Sequence, residues 1–279
     1  MGHALVGTSG YSYKDWVGPY YPEGTASSDF LPLYARDFEI TELNFSYYRM
    51  PEASMLVRLV EKTPDGFRFV VKAHRSMTHE PGASWKDDAR RFGEALAPLE
   101  NAGRLCGVLL QFPYSFHYTV GNRRYLSALC RELGEGAGTG PAADAQDDKT
   151  GPPLFVEYRN TEWQRESVHE EMRRRNLALV ITDMPRLRGL PNPEPVVTAD
   201  RAYLRFHGRN AEQWWEGDNR SRYDYLYSEA ELGDWVEPIR AVADRVSEFI
   251  VMFNNHANAQ AVINAKQLIR LLGSGSTVT

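Results

Sequence analysis

The sequence lacks the features that define several large classes of protein. Its 279 residues include only two cysteines, Cys106 and Cys130, whose spacing fits neither a metal-binding motif nor a disulfide framework. No apolar run approaches the ~18 residues that span a membrane, and no basic region followed by an apolar stretch indicates a secretory signal. We therefore expect a cytoplasmic protein with no membrane partner.

A strong excess of one charge is also lacking. The formal net charge is −5, which predicts no broad attraction to nucleic acid, although a local basic patch would still select anions. No Gly-x-Gly-x-x-Gly motif follows the first apolar run, and no Gly-x-x-x-x-Gly-Lys-Ser/Thr loop occurs. The sequence thus predicts no cofactor, and nucleic acid is a disfavoured partner.

The sequence does contain short apolar runs that alternate with helical patterns, and we predict each run to be a β-strand. Strands that alternate with helices form parallel sheets, and a count of eight favours closure into a barrel. The predicted fold is an α/β single TIM-type (β/α)8 barrel over residues 1–272. The eight runs are Ala4–Ser9, Ile40–Phe45, Phe67–Ala73, Leu105–Phe112, Leu154–Tyr158, Leu177–Thr182, Tyr203–Arg209 and Phe249–Phe253.

Three segments depart from this alternation. Residues 134–153 are rich in Gly, Ala, Asp and Pro without periodicity, so we predict a disordered insertion on the barrel face opposite the strands' carboxyl ends. Four closely spaced prolines between Met184 and Asp200 exclude a normal helix, so an irregular connection is expected to replace the helix after strand six. Residues 273–279 are predicted to be a flexible tail.

The seventh run carries the clearest functional pattern. Its alternation places Leu204 and Phe206 on one face and Arg205 and His207 on the other. If the apolar face meets the outer helices, Arg205 and His207 must point into the barrel mouth. Arginine is almost never buried without a partner, so acidic side chains are expected nearby.

Polar side chains also end most of the other predicted strands, and the carboxyl ends of barrel strands gather at one face. We expect a site there. The candidate catalytic residues are Glu42, Lys72, Glu157, Asp183 and His207. The candidate substrate-binding residues are Tyr11, Asn44, Gln111, Arg159, Arg205, Trp214, Asn254 and His256. The three acidic residues of this site are expected to balance its three cations, Lys72, Arg159 and Arg205.

Aromatic residues concentrate in the loops after the first and seventh runs. Any one ring could simply pack over the barrel end, but exposed loops do not need so many large rings. We predict that the loop 210–227 is a mobile lid whose Trp214 and Trp215 approach the pocket. Among the histidines, only His207 and His256 have informative positions, whereas His79 is expected to be a surface or internally satisfied polar residue.

Several motifs together resemble one family, the domain of unknown function 72. The resemblance covers nearly the whole chain, apart from residues 134–153 and 273–279. It implies a TIM-type barrel but no reaction, because the family has no settled activity. The motifs are Gly7-Thr-Ser-Gly10, Glu42-Leu-Asn44 with Tyr47-Tyr48, Phe69-Val-Val-Lys72, Gln111-Phe-Pro113, Glu157-Tyr-Arg159, Arg205-Phe-His-Gly208 and Phe253-Asn-Asn255.

The favoured function is an enzyme that uses acid–base chemistry on a small anionic molecule, either phosphorylated or carboxylated. In this hypothesis His207 or one of the carboxylates carries the proton, and the cations stabilise negative charge. Arg205 is expected to hold the ligand anion with its planar fork.

Two alternatives stay open. The first is a metal-assisted hydrolase of phosphodiesters or sugar phosphates, although the neighbouring cations would repel a metal ion. Its candidate ligands are Glu42, Glu157, Asp183, His207 and His256. The second is a binding protein that does not turn its ligand over. For any single charged residue, a purely structural role in an ion-pair network is an equal alternative.

Overall fold

The computed structural model of the chain describes residues 4–134 and 151–273. Nine strands form one all-parallel sheet in the order β6-β5-β4-β3-β2-β1-β9-β8-β7. The strands are β1 (Ala4–Ser9), β2 (Ile40–Leu43), β3 (Arg68–Lys72), β4 (Leu105–Gln111), β5 (Leu154–Glu157), β6 (Ala178–Leu179), β7 (Ile181–Asp183), β8 (Arg201–Phe206) and β9 (Glu248–Phe253).

The first and last strands of this order, β6 and β7, are consecutive in the chain. Strand β6 pairs with β5, strand β7 pairs with β8, and only Val180 separates β6 from β7. The two short strands are therefore halves of the predicted sixth strand, and the sheet closes around it. This arrangement confirms the predicted TIM-type α/β barrel.

Helices cover the barrel, and the connection between β7 and β8 contains none, as the prolines predict. The helices are α1 (Phe30–Tyr34), α2 (Phe45–Tyr48), α3 (Ala53–Glu61), α4 (Arg75–Thr78), α5 (Trp85–Asn101), α6 (Val120–Glu132), α7 (Glu166–Arg174), α8 (Asn219–Arg222), α9 (Glu229–Gly233), α10 (Val236–Ala243) and α11 (Gln260–Gly273). None of the helices in the described ranges is long and apolar enough to cross a membrane.

Strand alternation divides the buried side chains between two hydrophobic cores. Along β8, Tyr203 packs in the barrel interior, whereas Leu204 and Phe206 pack between strands and helices. The interior core also contains Ile40 and Phe155. Full burial of each such side chain contributes about 1.5–3 kcal/mol. Because these apolar side chains fill the barrel interior, the polar residues of the same inner faces are left at the carboxyl ends of the strands.

The predicted insertion and tail fall mainly outside the described residues. The described parts resume at Gly151, where any Cβ would collide with the carbonyl oxygen of Gly134. Gly134 and Gly151 are therefore neighbours in space, just before β5 begins. In a parallel barrel that point lies at the amino ends of the strands, opposite the carboxyl ends.

Candidate functional site

Arg205 is the centre of a buried ion-pair cluster at the carboxyl end of the barrel. Its Nη1 donates to Oε2 of Glu157 at 2.6 Å, and its Nη2 donates to Oε1 of Glu42 at 2.7 Å. The hydroxyl of Tyr203 donates to the other carboxylate oxygen of Glu42. All four side chains are buried. The acidic partners expected from the position of Arg205 are thus supplied by β2 and β5.

His207 and Arg159 extend this cluster around Glu157. Oε1 of Glu157 accepts from Nε of Arg159 at 2.5 Å and lies 3.3 Å from Nε2 of His207. The amide nitrogen of Asn254 lies 3.1 Å from Nδ1 of His207. Because an amide nitrogen donates, Nδ1 accepts, and this assigns the His207 proton to Nε2.

The protonation states of this cluster follow from burial and from its arginines. Burial would raise the pKa of Glu157, but Arg205 and Arg159 beside it hold that pKa well below its usual value. Burial, followed by the positive charge of Arg159, lowers the pKa of His207 to about 3. At neutral pH Glu157 is ionised and His207 is neutral, which disfavours His207 as a proton carrier.

Lys72 ends β3 beside this cluster. Its Nζ lies 4.5 Å from the centre of the Tyr47 ring, and it makes no hydrogen bond or ion pair with any residue in the described ranges. Burial, followed by the charge of Arg205, lowers the pKa of Lys72 to about 8. Lys72 is thus a cation without a carboxylate partner that can lose its proton near neutral pH.

A cavity of about 840 Å³ opens above the cluster. Its lining contains five cationic side chains but only one carboxylate among the residues described, that of Glu42. The five cations are Lys72, Arg75, Arg159, Arg205 and Arg222. This surplus differs from the expected balance of charges.

Aromatic rings form the walls of the cavity. Tyr13 stacks on His256 with ring centres 4.7 Å apart, and the Trp214 ring lies 5.7 Å from Cζ of Arg159. Trp215 meets Tyr114 edge-on at 4.9 Å. Trp214 and Trp215 both line the cavity, as expected of the loop 210–227, whereas the mobility of that loop stays a prediction.

Most of the predicted binding and catalytic residues come together here. Glu157 and His207 lie beneath the cavity, against Arg159 and Arg205. The predicted residues that line it are Tyr11, Glu42, Asn44, Lys72, Gln111, Arg159, Arg205, Trp214, Asn254 and His256.

Asp183 is not part of this cluster, and its predicted position was wrong. Val180 points into the barrel interior, so alternation turns Ile181 and Asp183 outward. There Asp183 accepts hydrogen bonds from Arg209, Tyr227 and Trp235. The inner cluster therefore contains two carboxylates, not three.

Several other residues that line the cavity were not predicted from the sequence. His79, expected at the surface or internally satisfied, lines the cavity with its ring 4.8 Å from that of Tyr47. Burial, followed by the charge of Lys72, lowers its pKa to about 4, so it is neutral at pH 7. Tyr47 belongs to the Tyr47-Tyr48 motif, which could have indicated it. Arg75 and Arg222 have no such signal, because they belong to helices of only four residues.

The proposed metal ligands are not brought together. Both oxygens of Glu42 and of Glu157 accept from arginine or tyrosine, and Asp183 lies on the opposite face of the sheet. Across residues 4–134 and 151–273, no group of three or more His, Cys, Asp or Glu side chains is arranged to hold a metal ion. The geometry therefore gives no support to the metal-assisted alternative.

Comparison with known proteins identifies relatives along nearly the whole chain. A family described as "Protein of unknown function DUF72" matches residues 5–278. The UPF0759 protein YunF of Bacillus subtilis is 28% identical over 283 residues, which cover 96% of this chain and 94% of that protein.

Two solved structures show the same fold. A DUF72 family protein from Thermotoga maritima superposes with a TM-score of 0.84 at 39% identity, covering 97% of this chain and 100% of that one. A DUF72 family protein from Enterococcus faecalis gives a TM-score of 0.82 at 26% identity, covering 97% and 96% of the two chains.

Proposed function

Because this chain belongs to the DUF72 family, whose description names no reaction, we propose a function from the chemistry of its pocket. The protein binds a small phosphorylated or carboxylated molecule at the carboxyl end of the barrel and acts on it by acid–base catalysis. Lys72 carries the proton, and Arg159 stabilises negative charge on the ligand.

The observation that carries this proposal is the surplus of positive charge on the cavity lining. Arg205 is neutralised by Glu42 and Glu157, and Arg75 lies 3.6 Å from Glu80. Lys72 has no such partner among the described residues. A ligand phosphate or carboxylate would provide the missing negative charge, and within this half-buried pocket the attraction would be stronger than in water.

Lys72 is a better proton carrier than His207, which is one of the candidates that the sequence offered for that role. A general base works best when its pKa lies near the working pH, and the pKa of Lys72 is lowered to about 8. His207 is fully buried beneath the cavity lining, and its pKa of about 3 makes it a weak base. We assign His207 the role of orienting Glu157.

The aromatic walls indicate the shape of the ligand. Tyr48 and Trp215 are 63% and 50% exposed at the mouth of the cavity, so their faces are open to a bound molecule. Aromatic faces pack against planar groups and against the apolar faces of sugars. We therefore expect an anionic group at the floor and a flat or sugar-like body against the walls.

Isothermal titration calorimetry tests the binding step. Wild-type protein is titrated with a panel of phosphate monoesters and carboxylates, each beside its neutral analogue. Lys72→Met should weaken binding at least about tenfold, which is about 1.4 kcal/mol. Lys86→Met is the matched control, because Lys86 also lies over an aromatic ring, that of Trp85, but outside the cavity. Preference for the neutral analogues would contradict the proposal.

Catalysis is tested separately by following the bound compound over time by NMR. Consumption by the wild type but not by Lys72→Met would support an enzyme. Tight binding with no consumption would instead favour the non-catalytic binding protein.

A further inference from the structure

We propose that Lys72 is a nucleophile that forms a Schiff base with an aldehyde or ketone bearing a phosphate or carboxylate group. This inference rests on the proposed function, because it requires that the same pocket bind anions. It goes further by assigning a covalent step and a substrate class.

The position of Lys72 suits a nucleophile. It ends β3 at the floor of the cavity, and it is the one lysine among the described residues that lines it. Other lysines make polar contacts at the surface: Lys266 pairs with Asp37 at 2.8 Å, and Lys62 donates to a backbone carbonyl. The Lys72 amine makes no comparable contact with a described residue, so its lone pair is available once the proton leaves.

The neighbouring cations keep this amine reactive. Lysine is activated as a nucleophile when it is desolvated or lies beside another cationic group, and Lys72 meets both conditions. Its pKa of about 8 leaves about half of the amine neutral at pH 8. A lysine with an ordinary pKa of about 10.4 is only about 0.4% neutral at that pH.

Arg159 lines the same cavity and can hold the substrate anion. It donates its Nε to Glu157, while its Nη1 makes no hydrogen bond within the described residues. A carboxylate or phosphate beside the carbonyl could therefore bind Arg159 while the carbonyl carbon faces Lys72. The requirement for both groups defines the substrate class.

The reaction balances without an oxidant or reductant. The amine lone pair attacks the carbonyl carbon, and the carbonyl oxygen takes up a proton to form a carbinolamine. The carbon–oxygen bond then breaks and the nitrogen forms the double bond to carbon, so that the two hydrogens of the neutral amine leave with the carbonyl oxygen as water. His79 lines the same cavity, with its ring 4.8 Å from the Tyr47 ring over which Lys72 lies, so the three side chains border one space.

Reductive trapping tests the covalent step. The full-length protein is incubated at pH 8 with sodium cyanoborohydride and one of three probes: pyruvate, dihydroxyacetone phosphate or acetone. Peptide mass spectrometry then locates the reduced adducts. We expect Lys72 to be modified on the order of a hundredfold faster than Lys86 by at least one anionic probe, in line with its larger neutral fraction. Acetone, which has no anion for Arg159, should react much less.

Two variants separate the covalent step from anion binding. Lys72→Arg keeps a cation but cannot form an imine, so it should retain calorimetric binding and lose the adduct. Lys86→Met should leave both unchanged, and circular dichroism verifies that each variant is folded. Binding of pyruvate or dihydroxyacetone phosphate without a Lys72 adduct would overturn the Schiff base alone. Equal labelling of Lys72 and Lys86 would overturn it too. The absence of both binding and adduct would overturn the proposed function as well.

Discussion

Two charged clusters lie on opposite faces of the sheet around β8, and they differ in how completely their charges are matched. In the inner cluster, Arg205 joins Glu42 and Glu157, but Lys72 nearby has no carboxylate partner among the described residues. In the outer cluster, both oxygens of Asp183 are saturated. Oδ1 accepts from Tyr227 and Arg209, and Oδ2 accepts from Trp235 and Arg209, all within 2.6–2.9 Å.

This difference separates a structural network from a candidate site. The Asp183 cluster stabilises the segment that follows β8. The Tyr227 hydroxyl also accepts a hydrogen bond from the backbone N–H of Gly208, and Arg209 forms an ion pair with Glu231 at 3.0 Å. None of its buried side-chain atoms lacks a hydrogen-bond partner, whereas Nε of Arg205 in the inner cluster does. Saturated polar groups stabilise a fold, and unsaturated ones beside a cavity can bind a ligand.

The largest expected effect is that of Arg205→Ala on stability. Removing this side chain, which is 1% exposed, leaves the buried carboxylate of Glu42 without a cationic partner and that of Glu157 with Arg159 alone. We expect a loss of about 3–5 kcal/mol in the free energy of unfolding, measured by urea denaturation. Arg209→Ala, whose side chain is 30% exposed, should cost less. Equal costs would show that the two clusters are energetically alike.

Asp183→Asn should cost less than Arg205→Ala. The variant keeps the shape of the side chain but replaces the ion pair with Arg209 by a neutral contact, and one amide group cannot accept all the hydrogen bonds of a carboxylate. We expect a loss of about 1–3 kcal/mol by the same denaturation experiment. A loss below about 0.5 kcal/mol would argue against a structural role for the outer cluster.

Lys72→Met should stabilise the protein. The pKa of Lys72 is lowered in the folded state, so the folded protein binds this proton more weakly than the unfolded chain does. At pH 7 the proton is still bound, and this difference lowers the free energy of unfolding. Removing this group should add about 0.5–2 kcal/mol, as is typical when a functional residue is replaced. As the pH rises from about 8 to 10.5, the folded wild type loses the proton first, so the wild type gains stability and the advantage of the variant shrinks. An advantage that grows with pH would contradict the account.

The smallest effect is expected in a segment that belongs to neither cluster. Deletion of residues 135–150, which lie outside the described residues, should change the free energy of unfolding by less than about 0.5 kcal/mol, because Gly134 and Gly151 already meet. The variant should also bind the same ligands by calorimetry. Loss of folded protein would show that this segment contributes to the barrel.

Much of the fold was predictable because its signals are local and repeated. The eight apolar runs, the prolines between Met184 and Asp200, and the alternation along β8 all reflect short-range constraints. The same alternation predicted that Arg205 points inward, and the gathering of strand ends then supplied Glu42 and Glu157 as its partners.

The incorrect predictions concern Asp183 and His79. In the first, the direction of a side chain depends on the strand register at one residue, and in the second, the residue follows a very short helix. The predicted sixth run ends at Thr182, whereas strand β7 ends at Asp183, and only the inward packing of Val180 decides that Asp183 faces outward. His79 follows the four-residue helix α4, which no periodicity predicts. The sequence also could not show that Lys72 lacks a carboxylate partner, since that depends on where Asp183 lies.

The central claim is that ligand binding belongs to the inner cluster alone. Calorimetric titration of Lys72→Met and Asp183→Asn with the same phosphate or carboxylate ligand tests it directly, because each variant removes one charge from one cluster. The account predicts binding weakened at least about tenfold in Lys72→Met and unchanged affinity in Asp183→Asn. Weaker binding in Asp183→Asn, or unchanged binding in a folded Lys72→Met, would contradict it.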